Sequence, residues 1–70
     1  MAEYIANKVQ KMRTDCETTQ EELAEKVGVS RQTVIAIERG RYTPSVLLAM
    51  KIAKFFRVSV EEIFSISYEK

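Results

Sequence analysis

The sequence predicts an all-α fold, a compact five-helix domain whose termini leave room for a short two-stranded ribbon. Three observations predict it. Residues 19–45, TQEELAEKVGVSRQTVIAIERGRYTPS, read as two short helices joined by a tight turn and followed by a loop. Residues 46–56 are a long apolar run with helical spacing. Helix caps and helix stops recur at the boundaries between these segments.

The first segment, residues 1–18, has Val9 and Met12 at helical spacing, and Asn7 with Gln10 three residues on is a candidate capping box. A helix is expected from about Lys8 to Thr14 or Asp15. Residues 2–5 read equally well as an extension of that helix or as a strand against the alternating tail Ile66-Ser67-Tyr68.

Thr19 followed by Glu22 is a second capping box, in which hydroxyl and carboxylate each satisfy a backbone N–H that the helix leaves unpaired. Gln20 then opens the helix. Leu23, Ala24 and Val27 share one face, and Glu21, Glu22, Glu25 and Lys26 fill the other. Gly28 ends it, because glycine adopts the left-handed conformation that closes a helix. Val29 anchors the turn and Ser30 caps the next helix, which begins Arg31-Gln32-Thr33. Val34, Ile37 and Glu38 are its inward positions. Gln32, Ile35, Ala36 and Arg39 follow i, i+3, i+4, i+7 along a different face, and Gly40 is the stop.

Residues 41–45 form a loop that ends in a cap, since the residue before Pro44 avoids helix and Ser45 suits the next N-terminus. A core helix is expected from Val46 to about Phe56. Leu48, Ala49, Ile52, Ala53 and Phe56 make its inner face, widened by Leu47, Met50 and Phe55; Leu47 is the odd residue of this set, and exposure or a place near a partner is the alternative for it. Ser59 with Glu62 opens a last short helix, Val60 to Phe64.

Seventy residues build one small domain, residues 1–70 as a unit, with a core near the lower limit for folding without staples. Oligomerisation would help such a core. The start MAEYIANK lacks the features of a signal peptide and no apolar run is long enough to span a bilayer, so the expected location is the cytoplasm, with no membrane partner. One cysteine, Cys16, allows no internal disulfide, and no histidine is present to serve a catalytic thiol or a metal. Cys16 reads as a loop or helix-end residue. The adjacent carboxylates Glu21/Glu22 and Glu61/Glu62 do not face each other on a helix, so no acid–base pair is expected, no enzyme, no cofactor and no metal site. No small-molecule ligand is evident.

The net charge is only +1, but its distribution is uneven. Arg31, Arg39 and Arg41 lie in or just after the second helix of the pair, opposed there by Glu38, while acidic residues gather at 15–25 and at Glu61, Glu62 and Glu69. A local basic stripe on a near-neutral protein suits phosphate on that face alone. A solvated helix face is the plain alternative.

The order and spacing of Thr19-Gln20-Glu21-Glu22-Leu23-Ala24, Val27-Gly28-Val29-Ser30-Arg31-Gln32-Thr33-Val34, Ile37-Glu38-Arg39-Gly40, Pro44-Ser45 and Val58-Ser59-Val60-Glu61-Glu62-Ile63-Phe64 resemble the lambda-repressor-like, Cro/C1-type helix-turn-helix regulators of the XRE family. The resemblance covers nearly the whole chain. It implies a compact five-helix lambda-repressor-like DNA-binding domain, with a helix-turn-helix at about 20–39 and a dimerisation segment at 58–70. It departs from the family at Glu17 and Arg57, where relatives commonly carry glycine, and at Thr18, where an apolar residue is usual.

In a helix-turn-helix the second helix enters the major groove of double-stranded DNA and presents its N-terminal residues to base edges, while the first crosses the backbone. On that basis Arg31, Gln32, Ile35, Ala36 and Arg39 are the expected base contacts: Gln32 suits adenine, arginine guanine or phosphate, Ile35 and Ala36 thymine methyls. Core packing or a solitary exposed residue is the alternative for Ile35. Arg13, Thr19, Gln20, Thr33, Arg41 and Tyr42 are the expected phosphate contacts. The resemblance also implies a largely buried ion pair between Arg13 and Glu38. The apolar surface of Ile63 and Phe64 closes the core in a monomer; in a homodimer Val60, Phe64, Ile66 and Tyr68 are the seam candidates. The implied function is a sequence-specific transcriptional regulator that represses from a near-palindromic operator. The alternatives are a protein-interaction module, such as an antitoxin whose DNA binding is secondary, and an accessory domain that binds no duplex.

Overall fold

Thr19 and Glu22 close on each other's backbone: the Glu22 N–H donates to the Thr19 hydroxyl at 3.0 Å and the Glu22 carboxylate accepts from the Thr19 N–H at 2.9 Å. Boundaries of this kind punctuate the whole computed structural model, which describes residues 2–69. The elements are β1 (Glu3–Asn7), α1 (Val9–Asp15), α2 (Gln20–Val27), α3 (Arg31–Glu38), α4 (Val46–Phe55), α5 (Val60–Ile63) and β2 (Phe64–Tyr68). Ser30 and Ser45 cap α3 and α4 through their hydroxyls, accepting from the N–H of Thr33 and Leu48 at 3.2 and 3.1 Å.

The helix stops are left-handed residues. Gly28 has φ 77° and Gly40 φ 73°, and Glu17 and Arg57 adopt the same region at 54° and 58° without being glycine. At each, the residue after it sends its N–H back into the helix: Thr18 to the Arg13 carbonyl, Val29 to Ala24, Arg41 to Ala36 and Val58 to Ala53. These contacts satisfy carbonyls that a helix end would otherwise leave unpaired.

The five helices surround one core whose most deeply buried side chains are Val9, Leu23, Val34, Ile37, Ile52 and Ile63. The all-α expectation holds for the helices and is corrected by the termini. β1 and β2 pair antiparallel in the register Glu3↔Tyr68, Ile5↔Ile66 and Asn7↔Phe64, so residues 3–7 are a strand and not a longer α1. An isolated hairpin is marginal in water. This ribbon is anchored at one end because Phe64, only 8 % exposed, is part of the core.

Three other expectations are corrected. Asn7 and Gln10 form no capping box; the Asn7 side-chain Oδ1 accepts from the Val9 N–H at 3.1 Å, and its Nδ2 donates to the Ile37 carbonyl at 2.9 Å. α5 stops at Ile63, and Phe64 opens β2. Met50 does not widen the core face of α4, being 56 % exposed, and Leu47, 65 % exposed, takes the alternative open to it; Leu48, Ala49, Ile52 and Ala53 are buried, with Phe55 and Phe56 packed against the core.

Candidate nucleic-acid interface

The geometry of α3 is set from its C-terminal end. Glu38, its last residue, receives Arg13 Nε at 2.7 Å on one oxygen and Arg13 Nη2 at 3.3 Å on the other, a bidentate pair in which the Glu38 side chain is 3 % exposed and that of Arg13 12 %. Two further bonds complete the knot: Arg13 Nη1 donates to the Thr18 carbonyl at 2.9 Å, and the Gln20 amide donates to Glu38 Oε1 at 3.0 Å. The last turn of α1, the α1–α2 turn, the first residue of α2 and the end of α3 are thereby joined. Asn7 adds a tie from the ribbon to the Ile37 carbonyl in the last turn of α3.

The opposite side of α3 is open. Arg31, Gln32 and Arg39 are exposed, Ile35 and Ala36 are half-buried, and Ile35 is not among the residues packed on the core. Among the described residues no side-chain hydrogen bond or ion pair engages Arg31, Gln32, Arg39 or Arg41. Tyr42 is exposed in the loop just past α3. Of the five side chains expected at base edges, Arg31, Gln32, Ile35 and Ala36 share α3 and Arg39 caps its C-terminal end, with Arg41 and Tyr42 in the loop just beyond.

The other expected contacts divide. Arg13, Thr19, Gln20, Glu21 and Arg31 line one shallow depression at the start of α2, where backbone N–H groups and the positive end of the helix dipole gather. Thr19 is committed to its cap, and the Arg13 guanidinium faces Glu38 and Thr18, with most of its donors used inside the protein. Thr33 is half-buried, its hydroxyl 3.1 Å from that of Ser30. Of the seam candidates, Phe64 is in the core of its own chain and Val60 packs against that core, whereas Ile66 and Tyr68 are exposed on the ribbon.

Cys16 caps the C-terminal end of α1 and is exposed. Sequence reasoning missed the Thr18 carbonyl and the Asn7 amide as parts of this frame. A backbone acceptor has no residue signature, and the bond from Asn7 to Ile37 joins positions that nothing in the local pattern relates. Gln20 carried a signal, its place beside a helix N-terminus, but not its link to Glu38.

The Glu22 and Glu62 carboxyls are held below the ordinary glutamate range, chiefly because each accepts from the backbone N–H of its capping partner, Thr19 or Ser59. No helix among the described residues is long and apolar enough to cross a membrane.

Two capped helices joined through a left-handed glycine, the second with amide and guanidinium groups turned outward, define a helix-turn-helix DNA-binding protein. The helix-turn-helix family matches residues 9–63; the chain belongs to it, as a transcriptional regulator of the Cro/C1 type, the XRE class. It is 60 % identical over 60 residues to an uncharacterised HTH-type transcriptional regulator of Methanocaldococcus jannaschii, a match covering 86 % of this chain and 91 % of that one. It is 51 % identical over 65 residues to the uncharacterised HTH-type transcriptional regulator YgzD of Bacillus subtilis, covering 93 % and 98 %. Among solved structures, SinR, a master regulator for biofilm formation crystallised in complex with DNA, is 31 % identical with a TM-score of 0.71, over 77 % of this chain and 87 % of that one.

Proposed function

We propose that this regulator binds a near-palindromic operator as a homodimer and represses transcription by occupying it. Each α3 lies in the major groove, with Gln32 pairing to adenine, Arg31 and Arg39 to guanine or phosphate, and Ile35 and Ala36 against thymine methyls. Arg41 and Tyr42 hold phosphates; Gln20, with the N-terminus of α2 behind it, and Thr19, Thr33 and Arg13 reach the backbone only with the groups their internal bonds leave free. The observation that carries the reading is the contrast on α3: its inner end is fixed by the Arg13–Glu38–Gln20 knot, while Arg31, Gln32 and Arg39 are exposed and unpaired among the described residues.

A two-fold dimer places its recognition helices about 34–36 Å apart, one turn of duplex, so the site should read as two inverted half-sites. No relative named above supports the alternative of an interaction module. The test is selection of bound duplexes from a random pool, followed by titration of the winner and of a scrambled duplex at two salt concentrations. A symmetric consensus bound far more tightly than the scramble is expected. Equal affinity for both, collapsing with salt, would reduce the activity to non-specific phosphate binding.

A further inference from the structure

Asn7 sits where four elements meet. It ends β1 opposite Phe64, at the end of the ribbon that belongs to the core. The next residue, Lys8, donates its N–H to the Ile63 carbonyl at 2.9 Å, so the backbone about Asn7 is held. The side chain is fixed as well. Oδ1 accepts from the Val9 N–H at the start of α1, at 3.1 Å, which sets the plane of the amide. Nδ2 is left to donate to the Ile37 carbonyl, in the last turn of α3, at 2.9 Å.

This bond differs in kind from the one that Glu38 receives. Arg13 grips a carboxylate, and the rotatable bonds of the glutamate side chain lie between that grip and the helix. Asn7 acts on the main chain itself, and a carbonyl moves only with its helix. The Ile37 carbonyl also accepts from the Gly40 N–H at 3.0 Å, and it lies at the negative end of the α3 dipole, where a donor is favoured. Position matters there because α3 is a lever. Its eight residues span about 12 Å, so a tilt of about 10° at the Ile37 end displaces Arg31 and Gln32, at the other end, by about 2 Å. A recognition constellation has to be held to within about 0.5 Å. A long arginine such as Arg41 reaches a phosphate across such a shift; a bidentate amide at a base edge does not.

We propose that Asn7 is a positioning residue for operator recognition. Its amide transfers the position of the ribbon to the main chain of α3 and so sets the tilt at which Arg31 and Gln32 reach base edges. The ribbon is then part of the reading apparatus without meeting a base. The inference rests on the operator-binding reading above and deepens it.

The experiment titrates the full-length parent, Asn7→Ser, Asn7→Asp and Ile52→Val against the selected operator and a scrambled duplex, at a temperature where circular dichroism shows each folded. A serine hydroxyl keeps the bond to the Val9 N–H but does not reach Ile37. The aspartate keeps that acceptor and turns a carboxylate toward the Ile37 carbonyl. Both should weaken operator binding roughly tenfold and leave the scramble within about twofold, because the scramble is held by phosphate contacts alone. Ile52→Val loosens the core away from α3 and should keep the parent's ratio. Amide hydrogen exchange without DNA is the second readout: Gly40 and Arg41, whose N–H groups close the end of α3, should exchange faster in Asn7→Ser while α2 stays as in the parent. Folded Asn7 variants that keep the parent's ratio overturn the proposal and leave operator binding standing, as does a loss shared equally by Ile52→Val. A parent that does not distinguish the two duplexes overturns the operator reading instead, and the exchange at Gly40 and Arg41 then decides whether Asn7 holds α3 at all.

Discussion

Glycine in place of Glu17 should stabilise the domain. Glu17 has φ 54°, in a turn whose N–H groups are committed: its own donates to the Thr14 carbonyl at 3.1 Å and that of Thr18 to the Arg13 carbonyl at 2.9 Å. The backbone cannot relax without breaking this helix stop. A left-handed conformation costs a residue with a Cβ about 1–2 kcal/mol. Glycine removes that cost but gives the unfolded chain more freedom, which returns about 0.4–1 kcal/mol. Glu17 is exposed and makes no side-chain hydrogen bond or ion pair among the described residues, so little else changes. The net gain is about 0.5–1 kcal/mol, which for a domain this small raises Tm by about 2–8 °C. The assay is denaturant unfolding at fixed protein concentration, where the midpoint should rise with the slope unchanged. Gly28→Ala is the matched control. Gly28 has φ 77°, and a Cβ built there meets nothing within 4 Å, so its loss of about 1 kcal/mol reports the backbone alone. A lower midpoint for Glu17→Gly, with Gly28→Ala behaving as expected, would refute the reasoning.

Removing one side of the buried ion pair should be severe. Arg13→Ala strands the Glu38 carboxylate at 3 % exposure and should cost about 3–5 kcal/mol in chemical denaturation; a near-neutral result sinks the assignment. On the selected operator, Gln32→Ala should cost about 1–3 kcal/mol and relax preference at one base pair, whereas Arg41→Ala should weaken all duplexes evenly and flatten the salt slope. Equal losses on every duplex for both would contradict that division. The capping carboxylates give a pH dependence: because the folded pKa of Glu22 lies below its ordinary value of 4.5, its contribution is complete above about pH 4.5 and is lost as pH falls through the lower folded value. The stability gap between the parent and Glu22→Ala, followed by denaturation across acid pH, should therefore narrow on acidification; a gap that widens has the sign wrong.

What the sequence made legible is what neighbouring residues decide. The Thr19–Glu22 box, the serine caps at 30 and 45 and the glycine stops at 28 and 40 depend on residues within one helical turn, and all are present. Glu17 and Arg57 were visible as departures from glycine, and their positive φ follows from the same helix-stop geometry. What stayed open is decided over distance. Whether residues 3–7 extend a helix or form a strand turns on a partner at residues 64–68, and Asn7 passes over its local capping box because the Ile37 carbonyl is within reach of its amide. α4 misled for another reason. It is apolar on most sides, so periodicity picked out the inner face of Leu48, Ala49, Ile52 and Ala53 but not where that face ends, and Met50 lies outside it. Of the interface, the residue types on α3 were readable and the Arg13–Glu38 pair followed from the family resemblance, but the commitment of Gln20 and Thr33 to internal bonds was not readable.

That commitment explains why the interface is built as it is. A buried ion pair contributes little net stability over apolar residues of the same volume, because desolvation offsets the attraction, so the Arg13–Glu38 pair is better understood through what its geometry fixes. A hydrophobic contact tolerates sliding and rotation; a bidentate guanidinium–carboxylate pair with a third bond to the Thr18 carbonyl and a fourth from Gln20 does not. The bonds from Arg13 in α1 and from Gln20, the first residue of α2, converge on the last residue of α3, and Arg13 is itself held by the α1–α2 turn through the Thr18 carbonyl. They set the angle between the two helices of the motif. In the proposed complex, Gln20 at a phosphate and Gln32 at a base edge must be correct together, and the distance between them is a function of that angle. In that proposal the charge buried at the end of α3 acts on specificity through the frame, while Arg31, Gln32 and Arg39 have no side-chain partner among the described residues.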